Sequence, residues 1–267
     1  MSEKVDRDGA AVGRRFAGAV AVVTGAGHGI GAACARRLAQ EGARVMVLDL
    51  DLDGDAAAAV ARSLPRADDV EHHAIAVDVT DASAVTEALA AVEQRTERLD
   101  ALVNVAGGGM PEPAFEDGDD EPFERMWQLN FLSVVRVTRA AIPMLQRSDR
   151  AAVVTISSVN GLIALGGEAY SAAKAGLTSL TTNLAVRYAP GIRVNAVAPG
   201  TTRTRVWDHQ GGPDRLARLY PLARVGEPED VAAAVAFLAS ADGAWITGHT
   251  LPVDGGLSIR GVPEFGR

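Results

Sequence analysis

Thr24-Gly25-Ala26-Gly27-His28-Gly29-Ile30-Gly31 follows the apolar run Ala19-Val20-Ala21-Val22-Val23 and leads into a stretch with helical spacing. Glycines at such a junction let a strand turn tightly into a helix. They also let the backbone approach a pyrophosphate, toward which the helix N-terminus turns its N–H groups and its positive dipole end. A glycine-rich run alone says little, but between a strand and a helix it points to dinucleotide binding. The expected contacts are Gly25, His28, Gly29, Ile30 and Gly31.

Outward from this turn, strands and helices alternate along almost the whole chain. Strands are expected at 19–24, 43–49, 74–79, 99–105, 152–157, 192–198 and 250–253. Helices are expected from the glycine turn to Glu41, over 53–63, from an Asp81 N-cap to Arg98, in a long helical region over 121–146, and over 168–188 and 229–239. Strands that are apolar nearly throughout, each followed by a helix, imply a parallel sheet covered on both faces. The fold class is therefore α/β, a doubly wound parallel sheet of the Rossmann type. We read 16–267 as one domain and 1–15 as a flexible leader of mixed charge, without the apolar centre of a signal peptide. The acidic segment 112–121 reads as a solvated loop, because it lacks the ligand spacing of a calcium loop.

Composition narrows the function classes. A net charge of −8 over 267 residues argues against nucleic acid as a partner. No apolar run approaches the length of about 20 residues needed to span a bilayer. The single cysteine, Cys34, excludes an internal disulfide and fits a reducing, cytoplasmic setting, with a packing role for the thiol. The histidines at 28, 72, 73, 209 and 249 have no zinc-site spacing, so no metal is expected.

Asp49 closes the second expected strand, where a carboxylate can accept hydrogen bonds from a ribose 2′-hydroxyl. Leu50, Asp51 and Asp53 add no positive charge, so a 2′-phosphate would be repelled. NAD is the expected cofactor rather than NADP.

Lysine occurs twice, at Lys4 and at Lys174 in Tyr170-Ser171-Ala172-Ala173-Lys174. Residues four apart share one face of a helix, so the phenol and the ammonium can point into the same space. A nearby cation favours the phenolate of a group whose ordinary pKa is near 10. The pair thus suits proton exchange with an alcohol or carbonyl oxygen.

With these motifs in order from about Ala17 to Leu257, the chain resembles the short-chain dehydrogenase/reductase family. The glycine turn is similar to its Thr-Gly-x-x-x-Gly-x-Gly, and Asp78-Val79 to its adenine-contacting pair. Asn104-Val105-Ala106-Gly107 resembles its Asn-Asn-Ala-Gly turn, and Tyr170-x-x-x-Lys174 its catalytic pair. Pro199-Gly200, with Thr202 and Thr204 following, resembles its nicotinamide-side segment. The resemblance implies a catalytic set of Asn130, Ser158, Tyr170 and Lys174. It places Asp78, Val79, Asn104, Ala106, Gly107, Pro199, Gly200, Thr202 and Thr204 against the cofactor, together with Tyr170 and Lys174. It further implies a homo-oligomer, a dimer or tetramer, and a mobile lid after Thr204.

Two departures from the pattern matter. Val105 replaces the second asparagine, which predicts altered local hydrogen bonding without loss of the cofactor. The family's count of thirteen residues before the tyrosine selects Ser157, whereas Ile-Ser-Ser-x-x-Gly selects Ser158. Side chains alternate along a strand, so one of the two faces the site, and Ser158 is our choice. The expected function is NAD(H)-dependent interconversion of a small secondary alcohol and a ketone, with Tyr170 as general acid/base. The alternatives are a 3-oxoacyl-carrier-protein reductase and a nicotinamide-binding regulatory protein without turnover. Met110, Leu165 and Trp207 are expected to make part of the substrate pocket apolar.

Overall fold

A computed structural model of the chain describes residues 13–50, 55–66, 70–208 and 211–259. Asp51, Asp53, His209 and positions 1–12 of the expected leader lie outside them. The elements, in chain order, are β1 (Val20–Thr24), α1 (Gly29–Gln40), β2 (Arg44–Asp49), α2 (Ala56–Ser63), β3 (His73–Ala76), α3 (Ala82–Glu93) and β4 (Ala101–Asn104). They continue with α4 (Glu121–Trp127), α5 (Ser133–Leu145), β5 (Ala151–Ile156), α6 (Glu168–Tyr188), β6 (Ile192–Pro199), α7 (Pro228–Ala239) and β7 (Thr250–Val253).

Among the described residues the seven strands form one sheet in the order β3-β2-β1-β4-β5-β6-β7, and every pairing is parallel. The chain winds outward from β1 to β3, then returns to lay β4 on the other side of β1. Strand order reverses there, and such a switch point leaves a crevice beyond the carboxyl ends of the strands.

Alternation along the strands builds two cores. Ala21, Val23, Val45, Val47, Ala101 and Val103 face one side, where they meet Ala33, Cys34 and Leu38 of α1, Ala57 and Ala61 of α2, and Val231, Val235 and Leu238 of α7. Val20, Val22, Met46, Leu48 and Leu102 face the other, against Val85, Leu89 and Val92 of α3 and Val137, Ala141 and Met144 of α5. Both faces are buried, which is why the strands read as continuous apolar runs rather than as an alternating pattern. Cys34 is fully buried, and burial pushes its thiol pKa up to about 12.

Several boundaries differ from expectation for local reasons. β3 ends at Ala76 instead of Val79, because Asp78 turns the chain: its Oδ1 accepts from both the amide and the hydroxyl of Thr80. α3 begins at the Asp81 cap, which accepts from the amides of Ser83 and Ala84, but stops at Glu93, short of Arg98. The expected helical region over 121–146 consists of two helices joined by a π-turn, Gln128–Leu132. At the end of the expected leader, Arg15 forms ion pairs with Glu41 and Asp242. No helix among the described residues is long and apolar enough to cross a membrane.

Candidate active site

The glycine turn leaves β1 pressed against the exit of β4. Gly25 has φ +62°, and a Cβ there would lie 2.8 Å from Ala106 Cα and N, while one at Gly31 would lie 2.0 Å from the Gly25 carbonyl oxygen. Thr24 binds the two strands together, its hydroxyl accepting from the amides of Val105 (3.1 Å) and Ala106 (3.2 Å). Val105, at the departure from the family pattern, instead packs its side chain against the first core. At the start of α1, His28 makes no side-chain cap bond. Asp49 reaches under the turn: its Oδ2 accepts from the Gly27 amide at 2.6 Å and its Oδ1 from the Leu50 amide at 2.8 Å.

A cleft of about 650 Å³ opens at this end of the sheet, lined by Gly25, His28, Gly29, Ile30, Gly31, Asp49, Asp78, Val79, Ala106, Gly107, Pro199, Gly200, Thr202 and Thr204. Ser158, Tyr170 and Lys174 line it as well. A backbone cradle that side chains at Gly25 and Gly31 would fill, next to a helix N-terminus with no side-chain cap, fits a dinucleotide. Asn104 does not meet the cleft, contrary to expectation. It is buried at the end of β4, where its Nδ2 donates to Thr138 Oγ1 (3.0 Å) and toward Thr155 Oγ1 (3.4 Å), fastening β4 to α5 and β5.

Asn130 is fully buried in the π-turn behind the cleft wall. Its Oδ1 accepts from the Gly108 amide (2.9 Å) and its Nδ2 donates to the Gly108 carbonyl (3.0 Å), so one side chain grips both polar groups of one loop residue. At Gly107, φ is +148° and a Cβ would come within 2.6 Å of Asn130 Oδ1, so only glycine allows the grip. Within the π-turn the same Nδ2 also donates back to the Met126 carbonyl at 3.2 Å, so Asn130 ties the loop to the helical segment.

Tyr170 and Lys174 share a face of α6, with Lys174 Nζ 5.7 Å from the centroid of the phenol ring. The ammonium is 3% exposed, donates to the Ile156 carbonyl at 2.9 Å, and has its pKa lowered by burial to about 8. Burial raises the pKa of the Tyr170 phenol, and a hydrogen bond with the Ser158 hydroxyl acts the other way. The lysine expected to favour the phenolate is thus directed at the end of β5, and the polar partner of the phenol is the serine.

The two serines divide as a strand end requires. Ser157 Oγ donates to the Lys174 carbonyl at 3.0 Å, anchoring the start of the 157–167 connection to α6. Ser158 is the one beside the phenol. Asn160, which also lines the cleft, accepts from Ser158 Oγ through its Oδ1 at 3.3 Å, while its own amide N–H donates back to Ser158 Oγ at 3.2 Å.

Sequence reasoning missed Asn160 and Glu112. Nothing in the pattern around Ser158 marks Asn160. Glu112 belongs to the acidic segment read as solvated, yet its carboxylate accepts from the amides of Ala169 and Tyr170, both at 3.1 Å. α6 starts at Gly167 with φ +66° and no side chain, so this distant carboxylate is its N-cap. Leu165 and Trp207 line the cleft as expected, but Met110 is turned outward, its Sδ accepting from Arg125. Of the arginines after Thr202, Arg203 pairs with Asp214 and Glu227, and Arg224 with Asp230.

Comparison with known proteins agrees with this architecture. A family model described as enoyl-(acyl carrier protein) reductase matches residues 25–258. The cis-4-hydroxycyclohexanecarboxylate dehydrogenase of Sinomonas cyclohexanicum is 39% identical, over 92% of this chain and 99% of its own. The meso-2,3-butanediol dehydrogenase of Serratia marcescens is 36% identical, over 94% of this chain and 99% of its own. Among solved structures, the aldohexose dehydrogenase of Thermoplasma acidophilum superposes with a TM-score of 0.80 at 32% identity, covering 91% of this chain and 95% of that one.

Proposed function

The chain belongs to the short-chain dehydrogenase/reductase family, and from that premise we propose that it is an NAD(H)-dependent oxidoreductase interconverting a small secondary alcohol and its ketone. The observation that carries the reading is the convergence of Ser158, Tyr170 and Lys174 on one wall of the cleft that begins at the glycine turn. Relatives named for the oxidation of small alcohols support it.

Gly25, Gly29, Gly31 and the first amides of α1 would hold the cofactor pyrophosphate, Asp49 the adenosine ribose, and Pro199 to Thr204 the nicotinamide side. A bound nicotinamide supplies or takes up the hydride. Tyr170 takes the proton from the alcohol oxygen in oxidation and returns it to the carbonyl oxygen in reduction. The Ser158 hydroxyl donates to the same oxygen and stabilises the charge that grows on it. Lys174, its pKa lowered by burial to about 8, lines the same cleft and would hold the nicotinamide ribose. Asn130 keeps the Gly107–Gly108 wall in place.

A second reading is reduction of a 3-oxoacyl chain on a carrier protein; the matching family model, described as enoyl-(acyl carrier protein) reductase, is consistent with a carrier-protein substrate but names reduction of a C=C bond rather than of a ketone. Asp49 separates the two, since a carboxylate at the ribose disfavours the phosphorylated cofactor. The test is a screen of secondary alcohols and ketones with NAD(H) and NADP(H), read at the nicotinamide absorbance. Turnover of small alcohols with NAD supports the first reading, and turnover only of 3-oxoacyl thioesters with NADPH replaces it. Cofactor binding with no turnover of any substrate would leave a regulatory protein.

A further inference from the structure

Beyond Pro199 the chain has left the sheet, yet both backbone polar groups of Thr201 are paired. Its N–H donates to the Tyr220 hydroxyl at 2.8 Å, and its carbonyl accepts from the Gly226 amide at 2.9 Å. Both partners belong to one strap, residues 220–226, and the Arg203 amide donates back to it at the Gly226 carbonyl, 2.8 Å away. Gly200, Thr201 and Thr202 line the cleft on the side proposed for the nicotinamide. Gly226 contributes backbone groups, which any residue carries, whereas the bond to the Thr201 N–H depends on a side chain that only one residue of the strap supplies.

That side chain is fixed in place. Tyr220 is 5% exposed, and its ring packs against two residues without side chains: a Cβ at Gly200 would lie 3.1 Å from Tyr220 Cε1, and one at Gly255 3.3 Å from Cδ1. The turn that follows is pinned as well. The Ala223 amide donates to the Tyr220 carbonyl at 2.9 Å, the Leu222 amide donates to the Gly255 carbonyl at 3.2 Å, and Arg224 pairs with Asp230 of α7. Ala223 has φ +55°, the one positive φ outside glycine among the described residues. A left-handed alanine is strained and persists where surrounding contacts leave the chain no other course.

From this arrangement we infer that Tyr220 is a positioning residue for the nicotinamide end of the cofactor. Its hydroxyl holds the Thr201 backbone, and with it the wall from Gly200 to Thr202, in place before the cofactor arrives. Without that bond the cofactor must order the segment as it binds, and the ordering cost comes out of its affinity. The adenosine and pyrophosphate end, assigned to Asp49 and the glycine turn, does not depend on the bond. The inference rests on the dinucleotide reading of the cleft.

The test compares NADH with ADP-ribose, which lacks only the nicotinamide ring. Both are titrated calorimetrically into the full-length wild type and Tyr220→Phe, which keeps the ring and loses the hydroxyl. NADH affinity should fall about three- to tenfold, the scale of one hydrogen bond, while ADP-ribose affinity changes by less than about twofold. In the cofactor-free proteins the Thr201 amide, followed by NMR, should exchange with deuterium at least roughly tenfold faster in the variant. Unchanged NADH affinity or equal exchange at Thr201 overturns the assignment. So does an equal loss for both ligands, the result of a merely structural role. Should Tyr220→Phe not fold, Gly255→Ala crowds the same ring from a residue outside the cleft lining and should give the same ligand-selective loss. A loss there that does not distinguish the two ligands, or no loss, overturns the assignment too. A wild type that binds neither ligand defeats the dinucleotide reading and the inference together.

Discussion

The carboxylate of Glu112 caps the helix that carries Tyr170, accepting from the Tyr170 amide and from that of Ala169, both at 3.1 Å. The two residues are far apart in sequence and lie on a loop and a helix. The loop is held at its other end by the Asn130 grip on Gly108, and between the anchors Gly109 passes over the phenol ring, where a Cβ would be 3.9 Å from Tyr170 Cγ and Cδ2.

Removing the cap should therefore loosen both the helix start and the loop. Glu112→Ala is expected to lower stability by about 1–2 kcal/mol, the usual worth of an N-cap. Turnover should fall by roughly ten- to a hundredfold through misplacement of the phenol. Glu112→Gln keeps an acceptor and should recover part of both. Denaturant unfolding and steady-state rates measure the two effects, and full activity in Glu112→Ala would show that the cap does not position Tyr170.

The proposed role of Tyr170 predicts that Tyr170→Phe abolishes turnover while NADH still binds. The ring and its packing remain, and only the exchangeable proton is lost. NADH fluorescence titration beside an activity assay tests it, and comparable rates in the two proteins would remove the phenol from the mechanism.

The serines should separate cleanly. Ser158→Ala is expected to reduce kcat by about 10²–10³, the scale for losing one donor to a developing oxyanion. Ser157→Ala removes a buried bond to the Lys174 carbonyl, so its cost of about 1 kcal/mol should show in unfolding rather than in turnover. The reverse assignment of effects would move the catalytic role to Ser157.

Cofactor choice should follow Asp49. Asp49→Ser is expected to lower the preference for NAD over NADP by tenfold or more, since it removes the charge that repels a 2′-phosphate. The ratio of kcat/KM for the two cofactors is the measurement, and a wild-type preference for NADP would refute the assignment outright.

One histidine should set part of the acid response. His72 is 8% exposed, accepts from the Val45 amide through Nδ1 at 3.1 Å, and pairs through Nε2 with the Pro65 carbonyl at 3.1 Å. Burial lowers its pKa below 6.5. In the interval between the folded and unfolded values the unfolded chain binds the extra proton, so stability falls as pH drops below about 6.5 and levels off once the folded state is protonated too. His72→Asn, which can keep an acceptor toward Val45, should flatten that slope in unfolding measured from pH 7.5 to pH 5.

Much of the site was legible because its parts are local. The glycine turn, Asp49 at the end of β2 and the Tyr170–Lys174 spacing each depend on a few consecutive residues in a known element, and backbone geometry at such distances is nearly dictated by residue type. Asn130 was named only through the family resemblance, and the π-turn in which it sits lies in no pattern that the sequence shows. Asn104 was misplaced because its motif says where the chain turns, not which way the side chain points.

Sequence by itself determined the alternation of elements, the parallel doubly wound sheet and the residue types gathered at its switch point, because periodicity and glycine placement act over short range. Tertiary structure decided between the two serines that the sequence left in competition, made Glu112 a cap rather than a solvated charge, and set Asn160 against Ser158. Those are contacts between segments brought together by the closing of the sheet, and the direction of a side chain at the end of a strand depends on neighbours that no local pattern encodes.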